Sequence, residues 1–299
     1  MKYTMSATIP TGSFANLSPS IEVEAESFEE AERLVMPHIE ALSAKYGEEG
    51  KTLVARGTTI QRKKLVSPID GGYAFFDEVS HTYTDSNGKQ YISGSKFCDE
   101  YAYEFPKDMV LDKMAKAYKV DKNHLAEMWE LKGLASSSFG TGLHAALEMW
   151  GKYEVLGEAV SKDLLNKALH DQPILKKAVE SFYAGRGGEE AMYEVFVVDM
   201  DSLRCGQIDR LLIVDKDKKI CRVQDFKTNA DLMKIGSPKK LKAPFNDIDN
   251  NKLGKYQLQL SFYASILQKS GWTVQGLDIF NYTDEWTHIP LEVINLERS

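Results

Sequence analysis

The chain has 299 residues, 43% of them apolar and 27% charged, with a net charge of −7. That is enough apolar material to bury a core, and it excludes a disordered, collagen-like or low-complexity protein. No apolar run approaches the roughly 18 residues of a membrane-spanning helix, and MKYTMSATIPTG at the start lacks the continuous apolar stretch of a secretory leader. Three scattered cysteines, Cys98, Cys205 and Cys221, form no CxxC pair. They support neither a disulfide framework nor a zinc knuckle and predict a reducing cytoplasm.

The charge is unevenly spread. Nine glutamates fall between residues 22 and 49 against Arg33 and Lys45, so the acidity belongs to an N-terminal module and the remainder is neutral. Within that remainder lie basic clusters at 62–64, 216–219 and 234–242. An acidic total therefore does not exclude a polyanionic ligand, because binding follows the local field.

In chain order, Tyr3–Ile9 and Ser20–Ala25 read as strands, and Ser27-Phe-Glu-Glu30 reads as a capping box. Phe28, Ala31, Val35, Ile39, Leu42 and Tyr46 then keep helical spacing. Residues 51–70 suggest a strand and a basic connector, which places a boundary between a module at 1–65 and a second domain at 71–299. Asp85-Ser-Asn-Gly88 between two β-like runs signals a hairpin. Residues 96–135 read as helical. A second helical region, 136–157, is entered through Ser136-Ser-Ser and Gly140-Thr-Gly142, and 161–184 is helical again. Three strands follow at Tyr193–Val198, Gln207–Val214 and Ile220–Phe226. A polar loop over about 229–252, a helix Tyr256–Lys269 and closing strands Val274–Tyr282 and His288–Val293 complete the chain. No internal repeat is visible.

Chemistry concentrates in 194–227. Glu194, Asp209 and Asp225 each sit on a predicted strand, and Asp225 and Lys227 share a strand face because side chains alternate. If the three strands are neighbours, three carboxylates and an ammonium converge at one sheet edge. Clustered carboxylates repel unless a cation lies between them. Hard divalent cations favour such oxygens, whereas zinc would need a Cys/His set that is missing here. On helices, His144 and Glu148 are i, i+4, as are Gln259 and Tyr263. Taken alone, each helical pair is better explained by packing or surface.

In order, Gly140-Thr-Gly-Leu-His144-x-x-x-Glu148, Glu194, Gly206-x-x-Asp209, Asp225-x-Lys227 and Gln259-x-x-x-Tyr263 resemble the PD-(D/E)XK nuclease superfamily. The set looks like its RecB-like exonuclease branch, which includes CRISPR adaptation nucleases and many phage exonucleases. The resemblance covers about 75–295, and HTYTDSNGKQYISGS and Trp129-Glu-x-Lys132 are similar to phage members. It implies an α/β restriction-endonuclease-like core, a central mixed sheet flanked by helices, behind a small N-terminal α+β module. It also implies hydrolysis of DNA phosphodiesters with one or two Mg²⁺ or Mn²⁺ ions, in phage or bacterial recombination or repair and in the bacterial or infected-host cytoplasm.

By that resemblance Asp209, Asp225 and His144 are metal ligands, with Glu194 a more variable acidic partner. Lys227 is catalytic, Gln259 and Tyr263 support the site and the DNA, and Glu148 is expected to support His144. Lys234, Lys239, Lys240 and Lys242 are expected to guide a DNA strand or end. Ile208 stands where the superfamily's proline would precede Asp209. No cysteine follows Cys221, so no iron–sulfur cluster is expected, and no GxxxxGK[ST] implies a nucleotide cofactor. Residues 1–65 lie outside the resemblance and are a candidate dock for a protein partner; no membrane partner is expected.

Two other classes compete. Gly140-Thr-Gly142-Leu-His-Ala145 matches GxGxxA, but no strand precedes it and no ribose-binding acid follows, which counts against dinucleotide binding. A non-catalytic single-strand binder would use the lysine loop and nearby aromatics, and would not need carboxylates gathered near a polyanion. Endonuclease action by the same superfamily remains the nearest alternative to exonuclease action.

Overall fold

A computed structural model describes the chain apart from residues 1, 13–14, 18–19, 47–53, 60–62, 78–79, 153–161, 237 and 299. The chain divides into two compact units. One is Met1–Lys64 with Phe75–Thr82, and the other is Leu65–Ala74 with Tyr83–Ser299. The N-terminal module expected at 1–65 thus also takes in Phe75–Thr82.

In the first unit, β1 (Lys2–Gly12) lies between β3 (Ser20–Glu24) and β4 (Val54–Thr59), antiparallel to both, and β2 (Ala15–Leu17) folds back on its far end. Helix α1 (Phe28–Tyr46) buries Val35 and Ile39 against Ile21 and Val23 of β3. Its exposed face carries Glu29, Glu32 and Glu40, so most of the acidity is solvated. The capping box forms one residue out of register. Ser27 Oγ accepts from the Glu30 N–H at 3.2 Å, but the Glu30 carboxylate reaches back to the Glu26 N–H at 2.8 Å.

A three-stranded sheet has β5 (Lys63–Val66), β6 (Tyr73–Asp77) and β7 (Thr82–Thr84) in the order β5-β6-β7. The turn at 85–88 forms as expected, with the Gly88 N–H on the Asp85 carbonyl and Thr84 bridging Gln90. Its second arm pairs back on β7 as far as Tyr91, whose N–H donates to the Tyr83 carbonyl, and then β8 (Ile92–Ser93) leaves to pair in parallel with the central sheet.

That sheet has six strands: β8, β9 (Ala191–Asp199), β10 (Arg204–Asp215), β11 (Ile220–Lys227), β12 (Thr273–Tyr282) and β13 (Trp286–Leu291). The path is β13-β12-β11-β10-β8, with β9 also on β10. Only β11/β12 and β10/β8 are parallel, so the sheet is mixed. Helices α2 (Gly94–Tyr101) and α7 (Lys252–Lys269) share one core with the sheet, through Phe97, Leu258, Phe262 and Ile266. Helices α4 (Lys122–Trp150), α5 (Lys162–His170) and α6 (Pro173–Tyr183) share another, through Leu143, Leu147, Leu165 and Phe182 against Phe226, Phe280 and Tyr282. This is the expected α/β class: a mixed sheet flanked by helices, with a small N-terminal β/α part. Helix α3 (Lys107–Tyr118) precedes α4.

One expectation fails clearly. Residues 136–142 do not begin a helix but run inside α4, which is continuous over 29 residues. Asp121 caps it, accepting from the Asn123 and His124 N–H groups. The three serines are exposed and there is no proline, so nothing breaks the backbone ladder. Gly140 and Gly142 are therefore helix-internal, which removes the basis for a dinucleotide-binding loop. The end of the expected region, 153–157, lies outside the described residues.

Candidate metal centre

The sheet forks where the acidic residues sit. One edge of β10 pairs with β9 from Arg204 to Leu212. The other pairs with β8 at Arg204 and Cys205 and with β11 only from Arg210 onward. Asp209 lies just short of the β11 ladder, and its Oδ2 accepts the Phe226 N–H at 2.9 Å in place of a strand partner.

At this step both strands depart from simple alternation. Met192 and Val195 of β9, and Ile208 and Leu211 of β10, pack into the α7-side core. The two residues between each pair turn to the other side. Tyr193 joins the α4/α6 core, and Arg210 lies over the Phe182 ring of α6. Glu194 and Asp209, which fall between the Ile208/Val195 and Arg210/Tyr193 pairs of the β9/β10 register, meet His144 of α4. Glu194 achieves this in a left-handed conformation, φ +49°. That conformation is costly for a non-glycine residue, and here it falls within a strand rather than in a turn.

The result is a compact donor set. Ligating atoms of His144, Glu194 and Asp209 all lie within 4.8 Å of one another. His144 Nδ1 is 3.4 Å from Asp209 Oδ2, and the ring stands edge-on to Phe226. Gly140, Thr141, His144, Ala145 and Glu148, one face of α4, line an open cleft with Glu194. Gln207 Nε2 holds Glu194 Oε2 at 2.7 Å. Burial, and then the neighbouring Asp209 and Glu148 carboxylates, push Glu194 up to about 7 against the pull of Lys152 and Gln207. Like charges about 5 Å apart repel by about 3 kcal/mol at an effective dielectric near 20.

Asp225 and Lys227 extend this group along β11. Their side chains share a face as alternation requires and form an ion pair, with Asp225 only 8% exposed. Asp225 Oδ2 touches the ammonium yet receives no well-directed hydrogen bond. Burial raises the Asp225 pKa, Lys227 opposes the rise and Asp209 adds to it. Burial works against the Lys227 ammonium, but Asp225 and Asp209 outweigh it and hold its pKa above the usual lysine value. The ammonium also lies 4.7 Å from the centre of the Tyr256 ring.

The other predicted residues divide. Gln259 Nε2 donates to the Tyr263 hydroxyl at 2.9 Å, and the Tyr263 ring is buried against Gly94 and Gly206. The Glu148 carboxylate is taken by Lys152 at 2.5 Å rather than by His144. In the loop after β11, Lys240 binds Asp249 at 2.8 Å and Lys242 donates to the Glu100 carbonyl at 3.2 Å, while Lys234 and Lys239 are exposed. Sequence reasoning passed over Gln207, Tyr256 and Lys152. Gln207 alone carried a signal, two residues before Asp209 on the same strand.

No protein-family model, no curated protein and no solved structure matches the chain. Among the described residues no helix is long and apolar enough to cross a membrane.

Proposed function

We propose that the protein is a metal-dependent deoxyribonuclease of the PD-(D/E)XK kind that hydrolyses phosphodiester bonds from DNA ends, in phage or bacterial recombination or repair. The observation that carries this reading is the meeting of His144, Glu194 and Asp209 beside the Asp225–Lys227 pair at the fork of the sheet. The donors suit a hard divalent cation: carboxylate oxygens and one imidazole, without thiolates. Within the set Glu194 is pushed up to about 7 by burial and by the Asp209 and Glu148 carboxylates, a repulsion that a divalent cation between them would relieve.

His144, Asp209 and Glu194 would hold Mg²⁺ or Mn²⁺, one ion or two, with Asp225 adjoining through Asp209. When bound, the ion supplies charge stabilisation on a phosphoryl oxygen and a water of lowered pKa. Lys227, kept charged by its carboxylates, orients that water or neutralises a phosphoryl oxygen. Gln259 and Tyr263 brace the α7 side of β10 at Gly206, three residues from Asp209. Lys234 and Lys239 are the exposed cations of the following loop that remain to meet a backbone phosphate.

The test is a cleavage time course on end-labelled single- and double-stranded DNA, linear and circular, with Mg²⁺, Mn²⁺ or EDTA. Metal-dependent loss of linear DNA with circles spared supports exonuclease action, and Lys227→Ala should lower the rate at least about 100-fold. Cut circles would make it an endonuclease. Binding without cleavage under every metal would replace the reading with non-catalytic strand binding.

A further inference from the structure

Behind the carboxylates runs a buried hydrogen-bonded chain that the cleavage chemistry does not use. It starts on α4, where the Leu147 carbonyl, one turn beyond His144, accepts from the Tyr183 hydroxyl at 2.7 Å. The Tyr183 and Tyr193 hydroxyls are 3.0 Å apart, and Arg210 Nε donates to Tyr193 at 3.2 Å. The Arg210 guanidinium, 1% exposed, also binds Glu189 at 2.7 Å and the Gln224 side-chain oxygen. Gln224 Nε2 donates to Asp278 at 3.1 Å, and Asp278 is gripped by both arms of Arg222 and by His288.

The placement of the members is what matters. Tyr193 is next to Glu194, Arg210 next to Asp209, and Gln224 next to Asp225. The chain-neighbours of all three carboxylates are therefore tied directly to one another, and the first of them is tied through Tyr183 to the helix that carries His144. This is also the step where β9 and β10 each turn two successive residues to the same side, so simple alternation does not set the directions of Glu194 and Asp209.

We propose that Arg210, with Tyr193 and Gln224, is the positioning device of the metal centre, setting the spacing of Glu194, Asp209 and Asp225. A buried ion pair is a weak source of net stability, because desolvation offsets its attraction. A planar guanidinium fork does, however, fix the directions of the side chains it binds. Groups hydrogen-bonded to metal ligands carry about 10–100-fold in metal affinity or activity, and Arg210 is taken to act on the same scale through the residue beside each ligand.

The inference rests on the nuclease reading, and its test separates the two. Mn²⁺ affinity would be measured from the free-ion electron paramagnetic resonance signal, and kcat and KM on linear DNA, for wild type, Tyr193→Phe, Arg210→Met, Arg210→Lys and the core variant Ile266→Val. Tyr193→Phe and Arg210→Met should bind Mn²⁺ about 10–100-fold more weakly and lose kcat, with KM for DNA little changed. Arg210→Lys, which keeps the charge without the fork, should not rescue. Ile266→Val should bind Mn²⁺ like wild type. Tyr193→Phe is isosteric and carries the test if Arg210→Met does not fold. Wild-type Mn²⁺ affinity in the folded network variants, or an equal loss in Ile266→Val, would overturn the positioning role and leave the nuclease standing. A wild type that neither binds Mn²⁺ nor cleaves would overturn both.

Discussion

Tyr263 shows how single residues hold the fork together. Its ring occupies the space where Gly94 and Gly206 would carry a Cβ; one added at Gly206 would sit 2.1 Å from the ring, and one at Gly94 2.5 Å. Neither glycine has a positive φ, so both serve close approach rather than turning. Gly206→Ala should therefore destabilise the protein by about 1–3 kcal/mol through overpacking. Urea unfolding measures this, and in a Tyr263→Ala background the penalty should largely vanish because the obstructing ring is gone. At this scale the sequence was informative: Gly206, Asp209, Asp225, Lys227 and His144 were all singled out by type and order. It was silent on partners. A carboxylate's choice between His144 and Lys152 depends on rotamers, and Glu148 takes Lys152.

Elements were legible where periodicity is strong and were missed where tertiary contacts decide. The three central strands and α7 fall close to their predicted places. The serine run in α4 looked like an interruption because serine favours caps and turns, yet a solvated helix segment accepts it. The second arm of the expected hairpin reads as one strand by composition, but pairing with β10 claims its end, Ile92 and Ser93. The two-residue turn to one side in β9 and β10 could not be read, because period-2 alternation would put Asp209 and Arg210 on opposite faces.

Asp199, at the end of β9, links this strand to α7 through Lys269 at 2.5 Å and accepts from Ser202 in the following turn. Burial raises its pKa, but Lys269 and Ser202 outweigh it and bring the group down to about 2 from an ordinary 3.8. A depressed carboxylate contributes stability above its unfolded pKa and loses it on protonation. The contribution should be complete above about pH 4 and disappear as the pH falls through about 2. After allowance for the half-exposed lysine it is about 1–2 kcal/mol. Asp199→Asn should therefore be less stable than wild type near neutrality and equal to it below about pH 2, as followed by denaturant unfolding across pH.

For the molecule as a whole, the α/β class with a mixed, helix-flanked sheet and a small N-terminal β/α part was readable in advance. The exchange of Phe75–Thr82 into the first unit was not, since a segment's membership depends on contacts far away in sequence. The fork of the sheet is the feature on which the proposed function turns: β10 exchanges β8 for β11 along one edge, and Asp209 lies at the exchange. The central claim is that the donor set there performs metal-dependent phosphodiester hydrolysis. The most direct measurement is the single-turnover cleavage rate of linear DNA in Mn²⁺ by wild type and Asp209→Asn, a near-isosteric change that removes the charge and one acceptor oxygen. The account predicts cleavage by wild type, none in EDTA, and a loss of at least about 100-fold in the variant with its fold retained. Equal rates for the two proteins would contradict it.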